Sequence, residues 1–278
     1  MAEARRDPRR TEPSPGTPDL GAPDLGVALI VDDASSRARD AGAALGSRYT
    51  FVEEADADVG VVVGGDGFML RTLHRLLDSG HRLHVYGLNL GTVGFLLNRF
   101  EVEGLRERLA AAEATVLHPL RMRAEADDGG QASYLAVNEV SLLRASAQSA
   151  HVRITVDGQL QVEDLYGDGV MVATSAGSTA YNRSAGGPII PLSAPLLALT
   201  PLAVFAPRGW RGALLDAATT VNIEVLDPGK RPVYAAADHR EVGQVRAVAI
   251  SQARDAHLTL LFDPHHTLEG RILREQFR

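Results

Sequence analysis

The chain has 278 residues, 45% of them hydrophobic, so it can bury one large core or two ordinary ones, and two domains are the expectation. It has no cysteine, which excludes thiol catalysis, disulfides and the usual zinc spacings, and its single lysine, Lys230, leaves no Walker A lysine and excludes a P-loop NTPase. The net charge of −7 argues against non-specific nucleic-acid binding, no apolar run is long enough to cross a bilayer, and the Arg-rich start lacks a signal peptide's apolar core, so a cytoplasmic protein with no nucleic-acid or membrane partner is expected.

Residues 1–25 combine Arg, Pro, Asp and Gly with a small duplication, PDLGAPDLG, and read as a disordered tail. From Val27 the pattern turns α/β. VALIV is a strand, and a helix follows from about Ser35 to Leu45, with Ser35 or Ser36 as its cap and Gly46 at its end. Val59, Val61, Val62 and Val63 form a β-branched run without polar alternation, the pattern of a strand covered on both faces of a parallel sheet. The run stops at Gly64, Gly65, Asp66 and Gly67. Met69, Leu70, Leu73, Leu76 and Leu77 then recur at helical spacing, Arg71, Thr72, Arg75 and Asp78 hold the other face, and Gly80 stands at the C-terminal cap. Glycines at a helix N-terminus let bare backbone approach a phosphate, and the helix dipole favours its charge. Asp66 is out of place there, because a carboxylate repels bound phosphate. It caps the helix, holds a magnesium ion that bridges the phosphates, or takes a proton from a nucleophile.

A second strand runs into glycines in LHVYGLNLGTVGFLLN (83–98), which contains Gly87, Gly91 and Gly94, and residues 101–112 place Leu105 and Leu109 on one helical stripe. The first half is therefore doubly wound and Rossmann-like, with two glycine turns at the C-terminal edge of one sheet, where such folds bind ligands. Beyond Pro119 the period changes to two. LRMRAEA, SYLAVNEVSLLR, HVRITVDGQLQVE, DGVMVATS, TTVNIEVLD, PVYAAAD, VRAVAIS and HLTLLFD read as strands of a β-rich second half, with Asp157 and Gly158 in a hairpin turn. Asn138 and Glu139 interrupt an otherwise apolar strand, so they are either functional, specifically hydrogen-bonded, or at an edge. Residues 168–192 deliver Ser175, Ser178, Thr179, Tyr181, Asn182 and Ser184 among glycines, a set suited to a ribose or phosphate. His81 with His84, and His265 with His266, lack a third ligand at metal spacing and read as loop or surface histidines. The ending TLEGRILREQFR returns to helix, with Leu268, Ile272 and Leu273 on one side and Arg271 and Arg274 late.

Taken in order, GGDG at 64–67, GLNLGTVGFL at 87–96, NE at 138–139 and DGVMVATSAGSTAYNRSAGGP at 168–188 resemble the NAD kinase family over nearly the whole chain after residue 26. GGDG alone is shared with lipid kinases and phosphofructokinases; GSTAY narrows the resemblance, and LLFDPHHTLEGRILREQF looks like the ending of a bacterial subgroup. The resemblance implies transfer of the γ-phosphoryl group of ATP to the 2′-hydroxyl of the adenosine ribose of NAD, giving NADP. Mg²⁺ or another divalent metal would accompany ATP, and polyphosphate is an alternative donor. By position it implies Asp66 as general base and an NAD site of Asp66, Gly67, Asn138, Glu139, Asp168, Ala176, Thr179, Ala180, Tyr181 and Ser184. Without a lysine nearby, the donor phosphates fall to Gly64, Gly65, Gly67, Gly91 and Gly94 and to Arg71, while the metal ligands stay unassigned. The implied fold is α/β plus all-β: a Rossmann-like domain at 26–118, joined by 263–278 as a returning C-terminal helix, and a β-sandwich-like NAD-binding domain at 119–262. A homodimer or homotetramer that shares part of the NAD site between subunits is implied as well. Phe68 stands where many members have threonine, Ala176 replaces a frequent threonine, and DHR at 238–240 sits where DGQ is common, departures that bear on the donor and on NAD contacts. Two rival readings use the same motifs: a GGDG-type lipid or small-molecule kinase, and a non-catalytic NAD-binding regulator.

Overall fold

The structure, a computed structural model, describes residues 18–91, 94–264 and 266–277. The first 17 residues of the expected tail, Thr92 and Val93 of the second glycine turn, and His265 lie outside the described residues. The α/β unit runs β1 (Val27–Val31), α1 (Ser36–Gly46), β2 (Val59–Val63), α2 (Asp66–Ser79), β3 (His84–Asn89), β4 (Asn98–Arg99), α3 (Leu105–Ala111) and β5 (Glu113–Leu117). The Ser35 side chain caps α1 by accepting the Ala38 N–H, and Gly80 closes α2 in the left-handed region at φ 69°, where a side chain would be strained. β2 is buried at every position because both of its faces are covered. Val62 packs with Met69, Leu73 and Leu76 of α2, whereas Val59, Val61 and Val63 pack with Leu45 of α1 and with Leu105 and Leu109 of α3. Leu20, Ala22 and Leu25 also lie on that second cluster, with Leu25 only 6% exposed. Residues 18–25, read above as disordered, therefore dock on the core through the leucines of the PDLG duplication.

The chain continues through β6 (Leu120–Ala126), β7 (Gln131–Ala136), β8 (Glu139–Arg144), β9 (Ala150–Val156), β10 (Gln159–Gly167), β11 (Gly169–Ala173), the short α4 (Tyr181–Ser184), β12 (Leu196–Leu202), β13 (Ala213–Asp216), β14 (Val221–Val225), β15 (Val233–Ala237), β16 (Arg240–Val242) and β17 (Val245–Gln252). These strands form two antiparallel sheets, in the orders β10-β9-β14-β17-β6-β7 and β13-β12-β11-β8-β15-β16. Their inner faces share one apolar cluster that includes Met122, Ile154, Ile223 and Val248 from one sheet and Leu142, Val170, Leu199 and Ala235 from the other, which makes a sandwich. Asp157 (φ 49°) and Gly158 (φ 77°) turn β9 into β10. SYLAVNEVSLLR is not one strand: β7 and β8 lie in different sheets, and Asn138 sits at the crossing between them. β12 escaped the sequence reading because Pro201 argues against a strand interior; it pairs there with Val170 of β11.

The final strand, β18 (Leu258–Phe262), leads into α5 (Leu268–Glu275). HLTLLFD was read as part of the β-rich half, but β18 lies in the first sheet, whose order is β1-β2-β3-β18-β5, parallel to β3 and antiparallel to β5. The physical reason is burial on both faces: Leu258, Leu260, Leu261 and Phe262 are all buried, which a one-sided sandwich strand does not need. The buried Asn98 side chain fixes the crossing, donating to the Leu261 carbonyl (3.0 Å) and accepting the Asp263 N–H (3.0 Å). Among the described residues no helix is long and apolar enough to cross a membrane. Leu260→Ala is expected to lower unfolding free energy by about 2–5 kcal/mol in urea titration, whereas Leu160→Ala, on a side chain 52% exposed, is expected to stay within about 0.5 kcal/mol.

Candidate functional site

Gly65, in extended conformation, precedes α2, and Asp66 is the first helical residue. The Asp66 carboxylate does not cap its own helix. Its Oδ2 accepts the Phe95 N–H (2.8 Å) and its Oδ1 the Leu96 N–H (3.0 Å), so it joins the first glycine turn to the second. Gly94 is what allows this approach, because a Cβ there would stand 2.8 Å from Asp66 Oδ1 and 2.9 Å from Leu97 Cδ1. From the other side, the Arg271 guanidinium of α5 reaches the carbonyls of the same loop, with Nη1 at 2.7 Å from Gly94 O, 3.0 Å from Phe95 O and 2.6 Å from Leu97 O. Burial holds Arg271 below its ordinary value, and the Asp66 charge opposes that shift.

A second carboxylate organises the crossing between β7 and β8. Asp238 follows β15 at φ 52° and is 1% exposed at its side chain. Its oxygens accept the N–H groups of Val137 (2.7 Å), Asn138 (3.0 Å) and Glu139 (3.1 Å) and face Nε2 of His74 (2.7 Å), which α2 supplies. His74 and Thr72 are buried, so the face of α2 read as polar points partly inward. The same corner is stitched to the stretch after β11. Thr174 donates its hydroxyl to Val137 O (2.8 Å) and its N–H to Asn138 O (2.9 Å), and a Cβ at Gly177 would fall 2.1 Å from Asn138 O.

Much of the polar character of 168–192 serves the fold. Ser178 donates to Ser175 O (2.7 Å) and accepts the Ile190 N–H (3.0 Å), while buried Asn182 donates to Ser178 O and Pro188 O and accepts the Thr200 hydroxyl (2.6 Å). These groups hold Thr179 and Ala180 at the surface of a cleft of about 340 Å³ lined by Asp66, Gly67, Leu70, Phe95, Leu96, Asn138, Ala176, Thr179 and Ala180. Six of the expected residues thus share one cavity: Asp66, Gly67, Asn138, Ala176, Thr179 and Ala180. Leu70, Phe95 and Leu96 complete its wall: Leu70 was read as helix core, and Phe95 and Leu96 stand in the GLNLGTVGFL motif without an assigned role.

The other expected residues lie around the cleft or away from it. Tyr181, 40% exposed, has its hydroxyl pushed above its ordinary value by burial and then by the charges of Tyr234, Glu139 and Asp168, which puts these groups within electrostatic reach of one another. Burial raises the Glu139 carboxyl to about 8, with Asp238 adding to the shift, and its buried Oε2 has no hydrogen-bond partner among the described residues. Asp168 accepts from Arg144 Nε (2.5 Å), and Ser184 ends α4. Arg71 lies over the Phe68 ring, 5.7 Å from its centre, and the ring packs against Gly64, where a Cβ would meet Phe68 Cδ1 at 2.7 Å. Gly65 has open space about its Cα. Gly91 borders a different cavity of about 530 Å³ with Arg37, Asn89 and Arg99. Among the described residues no group of three or more His, Asp or Glu side chains is placed to hold a metal ion. Asp238, His74 and Arg271 were missed as organisers; the one sequence signal was the DHR departure at 238–240.

A sequence description of the ATP-NAD kinase C-terminal domain matches residues 137–248. The chain is 54% identical over 247 residues to the NAD kinase of Mesorhizobium japonicum, covering 88% of this chain and 95% of that one. It is 47% identical over 249 residues to the NAD kinase of Zymomonas mobilis, covering 90% and 96%. Among solved structures, a yeast NADH kinase complexed with NADH superimposes with a TM-score of 0.77 at 18% identity, over 91% of this chain and 87% of that one. An Archaeoglobus fulgidus NAD kinase in complex with ATP gives 0.68 at 24% identity, over 90% and 97%. Both structural matches share the fold.

The Glu139 shift has a thermodynamic consequence. An unfolded glutamate releases its proton near 4.5, whereas folded Glu139 keeps it to about 8. Between those values the folded state binds the extra proton, so stability falls as pH rises through the interval and levels off above it. Glu139→Gln removes that slope. Urea titrations at pH 5 and pH 8 are expected to show the variant gaining on the parent at the higher pH, and a difference independent of pH would contradict the shift.

Proposed function

The chain belongs to the NAD kinase family, and from that premise we propose how its cleft works: it transfers the γ-phosphoryl group of ATP to the 2′-hydroxyl of the adenosine ribose of NAD, making NADP. One observation carries the reading. Three sequence motifs far apart in the chain, GGDG, NE and GSTAY, converge on a single cleft, where each supplies at least one lining residue.

Phosphoryl transfer asks the protein for alignment and charge stabilisation more than for covalent help. Asp66 acts as general base. Each of its oxygens is held by one amide, which leaves lone pairs free toward the cleft. As the ribose oxygen bonds to the γ-phosphorus, its proton passes to Asp66, the bond from phosphorus to the bridging oxygen breaks, and ADP leaves. Asn138, Ala176, Thr179, Ala180 and Tyr181 hold NAD, with Ser184 and Asp168 at the margin of its site. Glu139, whose carboxyl burial raises to about 8, joins Asn138 at the NAD site as a hydrogen-bond donor at neutral pH. Gly67 and the start of α2 face the donor phosphates, Gly64, Gly65, Gly91 and Gly94 shape the two turns, and Arg71, kept in place by the Phe68 ring, supplies charge.

The residues fit a magnesium ion that arrives with ATP rather than one in a protein cage, since among the described residues Asp66 is the one carboxylate lining the cleft and Mg²⁺ commonly keeps waters and substrate phosphates as ligands. Bound there, the metal would neutralise charge on the β- and γ-phosphates. A homodimer or homotetramer, with polyphosphate as a second donor, belongs to the same reading; Tyr181, 40% exposed in the single chain, is what a site completed by a second copy would leave open.

Incubation with NAD, ATP and Mg²⁺, read by an NADP-specific dehydrogenase, is expected to yield NADP. Saturable NAD binding without NADP would favour the regulator, and phosphorylation of a lipid alone the lipid kinase. Asp66→Asn is expected to fold and to lower kcat by roughly 10²- to 10⁴-fold; near-normal turnover removes it from the base role. Arg71→Ala is expected to raise KM for ATP, and unchanged donor kinetics would count against its assignment.

A further inference from the structure

The sequence puts Leu268, Ile272 and Leu273 on one side of α5, but Leu273 is 55% exposed and Arg271, 7% exposed, takes an inner position. A guanidinium does not go inward without acceptors, and Arg271 has four: Nε donates to His266 O (3.1 Å), and Nη1 faces Gly94 O, Phe95 O and Leu97 O. Peptide planarity gives two of these contacts a further meaning. The Gly94 carbonyl and the Phe95 N–H are opposite ends of one rigid plane, and the Phe95 carbonyl and the Leu96 N–H are opposite ends of the next. Those two N–H groups are the ones that Asp66 accepts, at 2.8 and 3.0 Å. Each plane therefore has a cation at its oxygen end and an anion at its N–H end, the orientation its dipole favours at both ends, and hydrogen bonds chained in this way polarise one another.

We propose that Arg271 is a positioning residue for phosphoryl transfer: by holding the 94–95 and 95–96 peptide planes it fixes the direction in which the Asp66 carboxylate faces the cleft. The proposal rests on the reading of Asp66 as the base. Arg271 is not among the residues lining the cleft, so it acts through these planes. The docking of α5 does not hang on this side chain alone. Leu268 and Ile272 are buried, Thr267 caps the helix, and Glu275 pairs with Arg183 of α4.

The test is a double-mutant cycle on kcat at saturating NAD and ATP, using the parent, Asp66→Asn, Arg271→Gln and the double variant, with KM for NAD and Tm recorded for each. Arg271→Gln is expected to lower kcat at least tenfold, because small misplacements of a catalytic group are costly, with KM for NAD changed by less than about threefold. In the Asp66→Asn background the same substitution is expected to change kcat by less than about threefold. A parent-like kcat for Arg271→Gln, or losses that multiply, would overturn the positioning role while leaving Asp66 in place. Near-normal turnover of Asp66→Asn would remove the base reading, and Arg271 with it. If Arg271→Gln does not fold, Arg271→Met enters the same cycle, since it keeps an unbranched apolar stem but no donor for the loop carbonyls, and the same two outcomes decide.

Discussion

Two peptide planes between Gly94 and Leu96 are held at both ends, by Arg271 at their oxygens and by Asp66 at their N–H groups, and the catalytic side of the molecule is arranged around that clamp. It needs three segments from distant parts of the sequence. α2 must start at Asp66 so that the carboxylate projects past its own helix; the second turn must have glycine at 94 so that the loop can come within hydrogen-bond distance; and the chain must return through β18 so that α5 lays Arg271 across the far side of the loop. Asp66 is solvent-facing, so these contacts bury little charge and supply direction more than stability. Direction is what a base needs.

Asp238 does a related job with the opposite exposure. Its buried carboxylate accepts three consecutive N–H groups and meets His74, so the NE corner is fixed to α2 and hence to the same helix whose first residue is Asp66. At 1% exposure none of these hydrogen bonds competes with water. Two carboxylates, each satisfied by backbone N–H groups, thus set the spacing between the walls of the cleft. Beside Asp238, burial raises the Glu139 carboxyl to about 8, with the Asp238 charge adding to the shift, and Glu139 Oε2 has no hydrogen-bond partner among the described residues.

The sequence made the α/β half readable wherever periodicity and glycine placement were unambiguous. The valines of β2, the Ser35 cap and the Gly80 stop follow from local physics, and the structure agrees at each. Cleft membership was legible for Asp66, Asn138 and Thr179 through motif order, not through any local rule. What escaped was long-range. HLTLLFD looks the same whether it closes a sandwich or enters a parallel sheet, and only burial on both faces tells the two apart. SYLAVNEVSLLR hides a change of sheet because apolar residues flank Asn138 and Glu139 on both sides, so the pair reads as an interruption within one strand. Arg271 reads as a late helical cation favoured by the dipole; that its acceptors are carbonyls of a loop some 175 residues earlier depends on the return of the whole chain. Hydroxyls of the GSTAY stretch misled in the other direction, since Ser178 is spent on its own turn.

The clamp is most directly measured by native-state hydrogen exchange at the Phe95 and Leu96 amides. Both lie in the loop after β3, outside any strand, and would exchange freely if Asp66 did not hold them. Slow exchange at both amides in the parent, lost at both in Asp66→Ala while the β2 amides stay protected, is the predicted result. Rapid exchange at Phe95 and Leu96 in the parent, or protection that survives the loss of the carboxylate, would contradict the account.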